Sequence, residues 1–335
     1  MAKEPIPPID RAAQEGPLSA TTAKDGSIVA LHGIDRSRLE PGGELIYVAG
    51  RTQGEMFWHR FKRHRIAVLS AGILVAFVLI AIFGPLASPY KFDAITYSGA
   101  QPPSLQHPLG TDELGRDEAT RLMHGGRVSL MVGIVVAVMS AGIGTLVGMF
   151  AGYYSGRVDN VLMRFTDMMM ALPLLPLLMV AGLVFSDLGL PSVWVIPLIL
   201  GVLQWMVVAR LVRGAFLALR EKEFVEAARA MGASDWRIIT QHLLPNSVAP
   251  IVVSATLVVG AAIIVESVLS FLGFGIQPPT PSWGNMLSDA RSTMVLHPWL
   301  MWAPGIAIVL TVLSVNFLGD GLRDALDPTQ VRERK

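Results

Sequence analysis

Six separate stretches of this chain, 66–86, 128–153, 161–185, 193–211, 248–271 and 299–318, are each about twenty residues or longer and almost wholly apolar. A helix rises ~1.5 Å per residue, so ~20 such residues cross the ~30 Å hydrocarbon core of a bilayer. Inside lipid, backbone polar groups find no water, and a helix satisfies them within its own segment. Six spans of this kind predict an all-α membrane protein. The third stretch carries Pro173 and Pro176, and Pro197, Pro250 and Pro304 fall in or beside other spans. Neighbouring helices can take up the carbonyls these prolines free.

The basic residues give an orientation, because cytoplasmic loops carry an excess of Lys and Arg. Arg60, Lys62, Arg63 and Arg65 precede the first span. Arg213, Arg220, Lys222, Arg229 and Arg237 lie between the fourth and fifth, and Arg323, Arg332, Arg334 and Lys335 follow the sixth. The opposite side has fewer per length: Lys91, Arg116, Arg121, Arg127 and Arg291. Both termini are therefore expected in the cytoplasm, with 87–127 and 272–298 as outward-facing loops rich in Pro and Gly. Residues 1–60 read as a mostly disordered cytoplasmic tail, with weak strand signals at 27–34 and 43–50; it has no apolar core of the kind a secretory signal needs. Residues 61–320 form the membrane domain and 321–335 a short second tail.

The charge balance narrows the function. Charged residues make up 16% of the chain and the net charge is +1, so nothing points to nucleic acid. There is no cysteine, which excludes disulfides, thiolate metal sites and a cysteine nucleophile. No G-x-x-x-x-G-K-[ST] or H-E-x-x-H occurs, and none of the seven histidines lies well inside a span. Ser155 in "GYYSG" lacks the spacing of a nucleophile elbow, so a hydrolase reading has little support. No catalytic residue, metal site or bound cofactor is expected.

Two features inside the spans need explaining. Ser140, Gly144, Gly148, Gly152 and Gly156 recur every four residues and line one helix face, for close packing against another backbone or for a glycine-lined pore. Asp167 and Glu266 are ionisable groups in or near spans, either paired with a neighbouring helix or part of a gate or substrate path. A secondary transporter is expected to carry more buried charge or visible internal repeats.

A third feature is the charged, Ala/Gly-rich island "EFVEAARAMGASDWRIITQHLLPN" at 223–246, set between two apolar stretches. Glu221, Glu223 and Glu226 lie toward its start and Arg229 toward the end of its first helix, matching the helix dipole. Ala227, Ala228 and Ala230 favour helix and keep it slim, Gly232 ends it, and Ser234 or Asp235 can cap a second helix. Pro245 and Asn246 lead into the fifth span. The product is a surface helix joined rigidly to two spans, either an ordinary interfacial helix or one that seats in a partner's groove.

The island resembles the EAA loop of ABC-importer permeases, whose pattern E-A-A-x3-G-x9-I-x-L-P is matched at Glu226, Ala227, Ala228, Gly232, Leu244 and Pro245. His242 replaces the usual Ile, as in many peptide-importer members. "HPLGTDELGRDEATRLMHGGRVSL" (107–130), "DNVLMRFTDMMMALPLLPL" (159–177), "ESVLSFLGFGIQPPTPSWGNML" (266–287) and "VNFLGDGLRDALDP" (315–328) resemble, in order, the C-type subunit of dipeptide/oligopeptide permeases. The resemblance implies a type I importer fold with 213–246 as the coupling loop. It also implies a non-catalytic subunit of the bacterial inner membrane that forms half of a peptide pathway. The implied partners are a homologous B-type permease, two ATP-binding cassette ATPase subunits that hold ATP and Mg, and an extracytoplasmic substrate-binding protein. Nickel and oligosaccharides are alternative cargoes within the family.

Overall fold

In the computed structural model, residues 53–187 and 189–326 are described. They form α1 (Gln53–Arg63), α2 (Arg65–Ala87), α3 (Glu118–Tyr154), α4 (Gly156–Ala171), α5 (Leu174–Asp187), α6 (Ser192–Leu203) and α7 (Trp205–Arg220). There follow α8 (Glu223–Ala230), α9 (Asp235–Arg237), a π-helical segment (Ile238–Leu243), α10 (Leu244–Asn246), α11 (Val248–Phe271), α12 (Trp283–Ala290) and α13 (Trp299–Leu326). The only β pairing among the described residues is two isolated bridges in the segment that precedes α3. Five helical segments are long and apolar enough to cross a bilayer: α2, α3, α6 with α7, α11 and α13. A sixth span is the bent pair α4 and α5.

The helices depart from the expected boundaries for identifiable reasons. The third apolar stretch is not one straight rod: α4 and α5 meet at 80°. Proline disfavours the α conformation in the residue before it, and Leu172, preceding Pro173, is extended at ψ 133°. The fourth is interrupted at Gln204 and continues to Arg220, well past residue 211. α3 starts ten residues before the apolar run, because Asp117 accepts from the Thr120 backbone N–H and caps it. That helix is about 55 Å long, so it projects beyond the hydrocarbon. α13 extends through Leu326, so 321–326 belong to the bundle and not to a tail. α1 likewise lies within the segment expected to be a tail, with Phe57, Phe61 and Ala325 in one apolar cluster with Leu318 and Leu322. The strand signals at 27–34 and 43–50, and residues 327–335, lie outside the described residues.

α3 is the centre of the packing. Its Gly144, Gly148 and Gly152 face α7, where an added Cβ would stand 2.6, 2.5 and 2.6 Å from Val208, the Ala209 carbonyl and Phe216. Small residues at this spacing bring two backbones together. Gly133 meets Val259 and Ile263 of α11 in the same way. Gly156 is different: it lies beyond the end of α3 at φ +59° with open space around it, and serves a turn. α13 packs against α11 and α2, with Gly321 directly over Ala67. Pro85 in α2 has no N–H for the Ala81 carbonyl one turn back. Arg127 of α3 supplies the missing donor, its Nε bonding Ala81 O and its Nη2 bonding Ile82 O at 2.5 Å each. α2 fully buries only Ala67, Ser70 and Ala81, packs Ala71 and Phe77 partly against the bundle, and turns Ile66, Leu69, Val75, Leu79, Ile82 and Phe83 outward.

Candidate functional site

The island folds as a corner. α8 ends in a Schellman motif: the Ala233 N–H bonds the Ala228 carbonyl, the Gly232 N–H bonds the Arg229 carbonyl, and Gly232 sits at φ +81°. Ser234 occupies the N-cap position of α9 without a side-chain capping bond. The π-helical segment spaces its backbone hydrogen bonds one residue wider than an α-helix, and its Ile238, Ile239 and Leu243 are buried. Val225 and Ala228 also face the core, and Leu244 packs against it. Glu226, Ala227, Gly232 and Pro245 face outward. The sequence motif therefore divides: Ala228 and Leu244 anchor the corner, and the other four residues lie on its surface.

Among the exposed charges of the corner stand three exposed apolar side chains. Met231 is 83% exposed, Trp236 59% and Phe224 42%. Aromatic residues and Met are enriched in protein interfaces, and an exposed apolar patch marks a surface that takes a partner.

The corner is tied to the bundle by groups that lie outside the motif. The Tyr153 hydroxyl, at the last turn of α3, donates to Asp235 Oδ1 at 2.7 Å. Arg220 Nη1, at the end of α7, donates to the Tyr153 carbonyl at 3.0 Å. One layer deeper, Arg213 of α7 makes a two-pronged bond to Asp159 of α4, at 2.5 and 2.6 Å. Above it, Arg210 Nη2 meets Asp167 Oδ1 at 2.5 Å, with side chains 48% and 59% exposed. Asp167 thus pairs with the helix beside it and stays open on the other side. Asp159 and Arg213 open segments already singled out by resemblance but without a role, while Arg210 and Tyr153 had no motif to mark them; for Arg210 the signal available was a charge at the end of an apolar run.

Glu266 lies elsewhere, near the end of α11 remote from the corner, and is fully buried. Its Oε1 accepts from Ser270 Oγ at 2.6 Å and from Ser282 Oγ at 2.9 Å. Ser282 is the N-cap of α12 in a reciprocal capping box with Asn285. Asn285 Nδ2 in turn holds the carbonyls of Thr280 and Ile276. The Trp283 N–H reaches Ser129 Oγ on α3. The buried Glu266 carboxyl and the bonds of Trp283 to α3 therefore together fasten the 272–290 segment to the bundle. Where α12 meets the start of α3, Arg121 of α3 and Arg116 of the preceding loop pair with Asp289 and Asp112 around a cavity of ≈ 210 Å³. Burial pushes the Asp289 carboxyl up, and Arg121 and Arg116 pull it back down. The five groups with strongest claims on chemistry, Asp167, Glu226, Gly232, Glu266 and the glycine seam, are thus not one site but three levels of one bundle.

Among the described residues, no group of three or more His, Cys, Asp or Glu is arranged to hold a metal ion.

Comparison with known proteins places this architecture. Residues 144–332 match the family described as binding-protein-dependent transport system inner membrane component. Residues 52–108 match the N-terminal TM domain of oligopeptide transport permease C, which begins where α1 does. The glutathione transport system permease protein GsiD of Pectobacterium atrosepticum is 43% identical over 282 residues, covering 83% of this chain and 92% of that one. The dipeptide transport system permease protein DppC of Alkalihalophilus pseudofirmus is 43% identical over 289 residues, covering 86% and 93%. With half of its length in one family model and relatives this similar over most of both chains, this multi-pass protein belongs to the family of binding-protein-dependent transport system inner membrane components.

Proposed function

We propose that this chain is one permease subunit of an ATP-driven importer for dipeptides or oligopeptides, forming half of the translocation pathway. The observation that carries the reading is the α8–α9 corner. It presents Met231, Trp236 and Phe224 around Glu226 and is bonded to α3 through Tyr153 and Asp235. A partner that moves this corner moves α3 and α7 with it, because the glycine seam leaves no slack between them. The partners in this reading are a homologous B-type permease, two ATPase subunits that hold ATP and Mg, and an extracytoplasmic binding protein. The names of the relatives, dipeptide and glutathione permeases, support a peptide as cargo. Both termini and the corner lie in the cytoplasm on the basic-residue bias.

The Asp167–Arg210 pair lines the path or its inner gate in this reading. Charges open to one side of a span are costly against lipid, so this face turns to a partner permease or to water. Glu266 holds the outer gate by fastening 272–290 rather than by touching cargo. The test is reconstitution with the partner subunits, comparing wild type with the Glu226→Ala, Gly232→Leu double variant. Gly232 at φ +81° has no place for a side chain without strain, and Leu also thickens the docking surface. The expected outcome is intact membrane insertion with weakened ATPase binding, or ATP hydrolysis without uptake. Wild-type values for ATPase binding, hydrolysis and uptake together would refute the docking role.

A further inference from the structure

α1 is amphipathic in an uneven way. Phe57 and Phe61 face α13, and the opposite face carries Trp58, His59, Lys62 and Arg63. His64 leaves helical geometry at ψ 85°, so α1 turns away from α2 instead of continuing it. Its contacts run along α13 more than along α2. Trp58 is 53% exposed, and the lipid-facing surface of α2 begins just after it with Ile66 and Leu69, 52% and 66% exposed.

Among the described residues the cations on this face have no acidic partner: Lys62, Arg63 and Arg65 are exposed and form no ion pair with another described residue. The Lys62 ammonium lies 5.0 Å from the centre of the Trp58 ring. Of the acids at this end of the bundle, Asp324 of α13 meets His64 at 3.7 Å, Glu55 has a contact of its own, and the exposed Asp320 bonds none of the three cations. Three exposed cations without an acidic partner among the described residues, one of them over an exposed indole, therefore lie close together at the start of the outward apolar surface of α2. Indole rings favour the headgroup level of a bilayer, and juxtamembrane cations attract anionic lipid.

We propose that the outer face of α1 and the first turn of α2 bind the headgroup of an anionic phospholipid. Lys62, Arg63 and Arg65 meet its phosphate, and Trp58 lies at the boundary between headgroup and acyl chains. The occupant is a lipid and not an acidic protein because the patch is continuous with the hydrocarbon-facing side of α2. The site secures α1, and through Phe57 and Phe61 the end of α13, to the membrane surface. This inference needs only the membrane placement of the bundle and is independent of the cargo and of the ATPase partners.

The test uses the full-length chain in mixed vesicles of phosphatidylcholine and phosphatidylglycerol, with one lipid or the other brominated on its acyl chains to quench tryptophan. The chain has seven tryptophans, so the Trp58 signal is the difference between the protein and its Trp58→Phe variant. A cation near an anionic surface favours it about fivefold. Wild type is therefore expected to prefer brominated phosphatidylglycerol at Trp58 by on the order of tenfold or more, falling with added salt. The Lys62→Gln, Arg63→Gln, Arg65→Gln triple variant is expected to show no preference. The charge-conserving Lys62→Arg, Arg63→Lys, Arg65→Lys variant is expected to keep it. Equal quenching by the two lipids in wild type would overturn the proposal. So would loss of the preference in the charge-conserving variant, or its survival in the glutamine variant.

Discussion

A single methyl group at Gly148 tests the central packing. In Gly148→Ala the new Cβ stands 2.5 Å from the Ala209 carbonyl oxygen, 2.8 Å from Val212 Cβ and 3.0 Å from the Arg213 nitrogen. Ordinary contact lies near 3.5 Å, so the methyl is about 1 Å too close. Two of the three atoms are backbone, and no rotamer change relieves them. α3 and α7 must separate along a seam that Gly144 and Gly152 also close. Overpacking of this kind costs about 1–3 kcal/mol. Gly142→Ala is the control, because it lies on the same helix with nothing within 4 Å. There the change gains up to about 1 kcal/mol of helix propensity. Both variants add one methyl to a glycine of the same helix, less than two turns apart, so the propensity gain is common to both and they are expected to differ by the overpacking cost, about 1–3 kcal/mol. The assay is thermal unfolding of the purified chain in one detergent, with membrane abundance measured alongside. If Gly148→Ala melts with Gly142→Ala, the helices are not held at backbone contact and the argument that α3 and α7 move as one body fails.

Three further outcomes follow from particular bonds. Tyr153→Phe removes the bond to Asp235, worth about 1 kcal/mol, and leaves the ring in place; in the reconstituted transporter it is expected to lower uptake per ATP hydrolysed, and an unchanged ratio would show that the corner needs no such tie. Glu266→Ala strips the acceptor from Ser270 and Ser282, and two buried hydroxyls left without it are expected to cost about 2–4 kcal/mol and to free 272–290 for proteolysis; unchanged protease resistance of that segment would contradict its role as a fastener. For orientation, a cysteine at the fully exposed Leu105 is expected to react with an impermeant reagent from outside, and one at Met231 only after permeabilisation; the reverse pattern would invert the topology.

The spans and the α8–Gly232 corner were legible in the linear order of residues because both rest on local physics. Twenty apolar residues in a row need lipid wherever they fall, and a helix that reaches a glycine after its last turn stops there for reasons of backbone geometry alone. The four-residue spacing of Gly144, Gly148 and Gly152 belongs to the same class, since a helix puts those positions on one face whatever it meets. Gly156 shows the limit: it keeps the spacing, but the helix has already ended, and where a helix ends depends on its whole run.

What lay beyond reach was every partnership between distant segments. Asp167 and Glu266 stood out as charges needing an explanation, and two different explanations fitted both. Only the packing put Arg210 beside the first, with both side chains still open, and two serine hydroxyls around the second, with the carboxyl sealed. Tyr153 and Asp235 are 82 positions apart and carry no pattern of their own. The same holds for the ends of the bundle. Hydropathy stops at 318 and 66, but α13 and α1 extend to Leu326 and back to Gln53 because Phe57 and Phe61 have Leu318, Leu322 and Ala325 to cover. A residue's burial is a property of its surroundings, and those are assembled by the tertiary fold from segments that the chain keeps far apart.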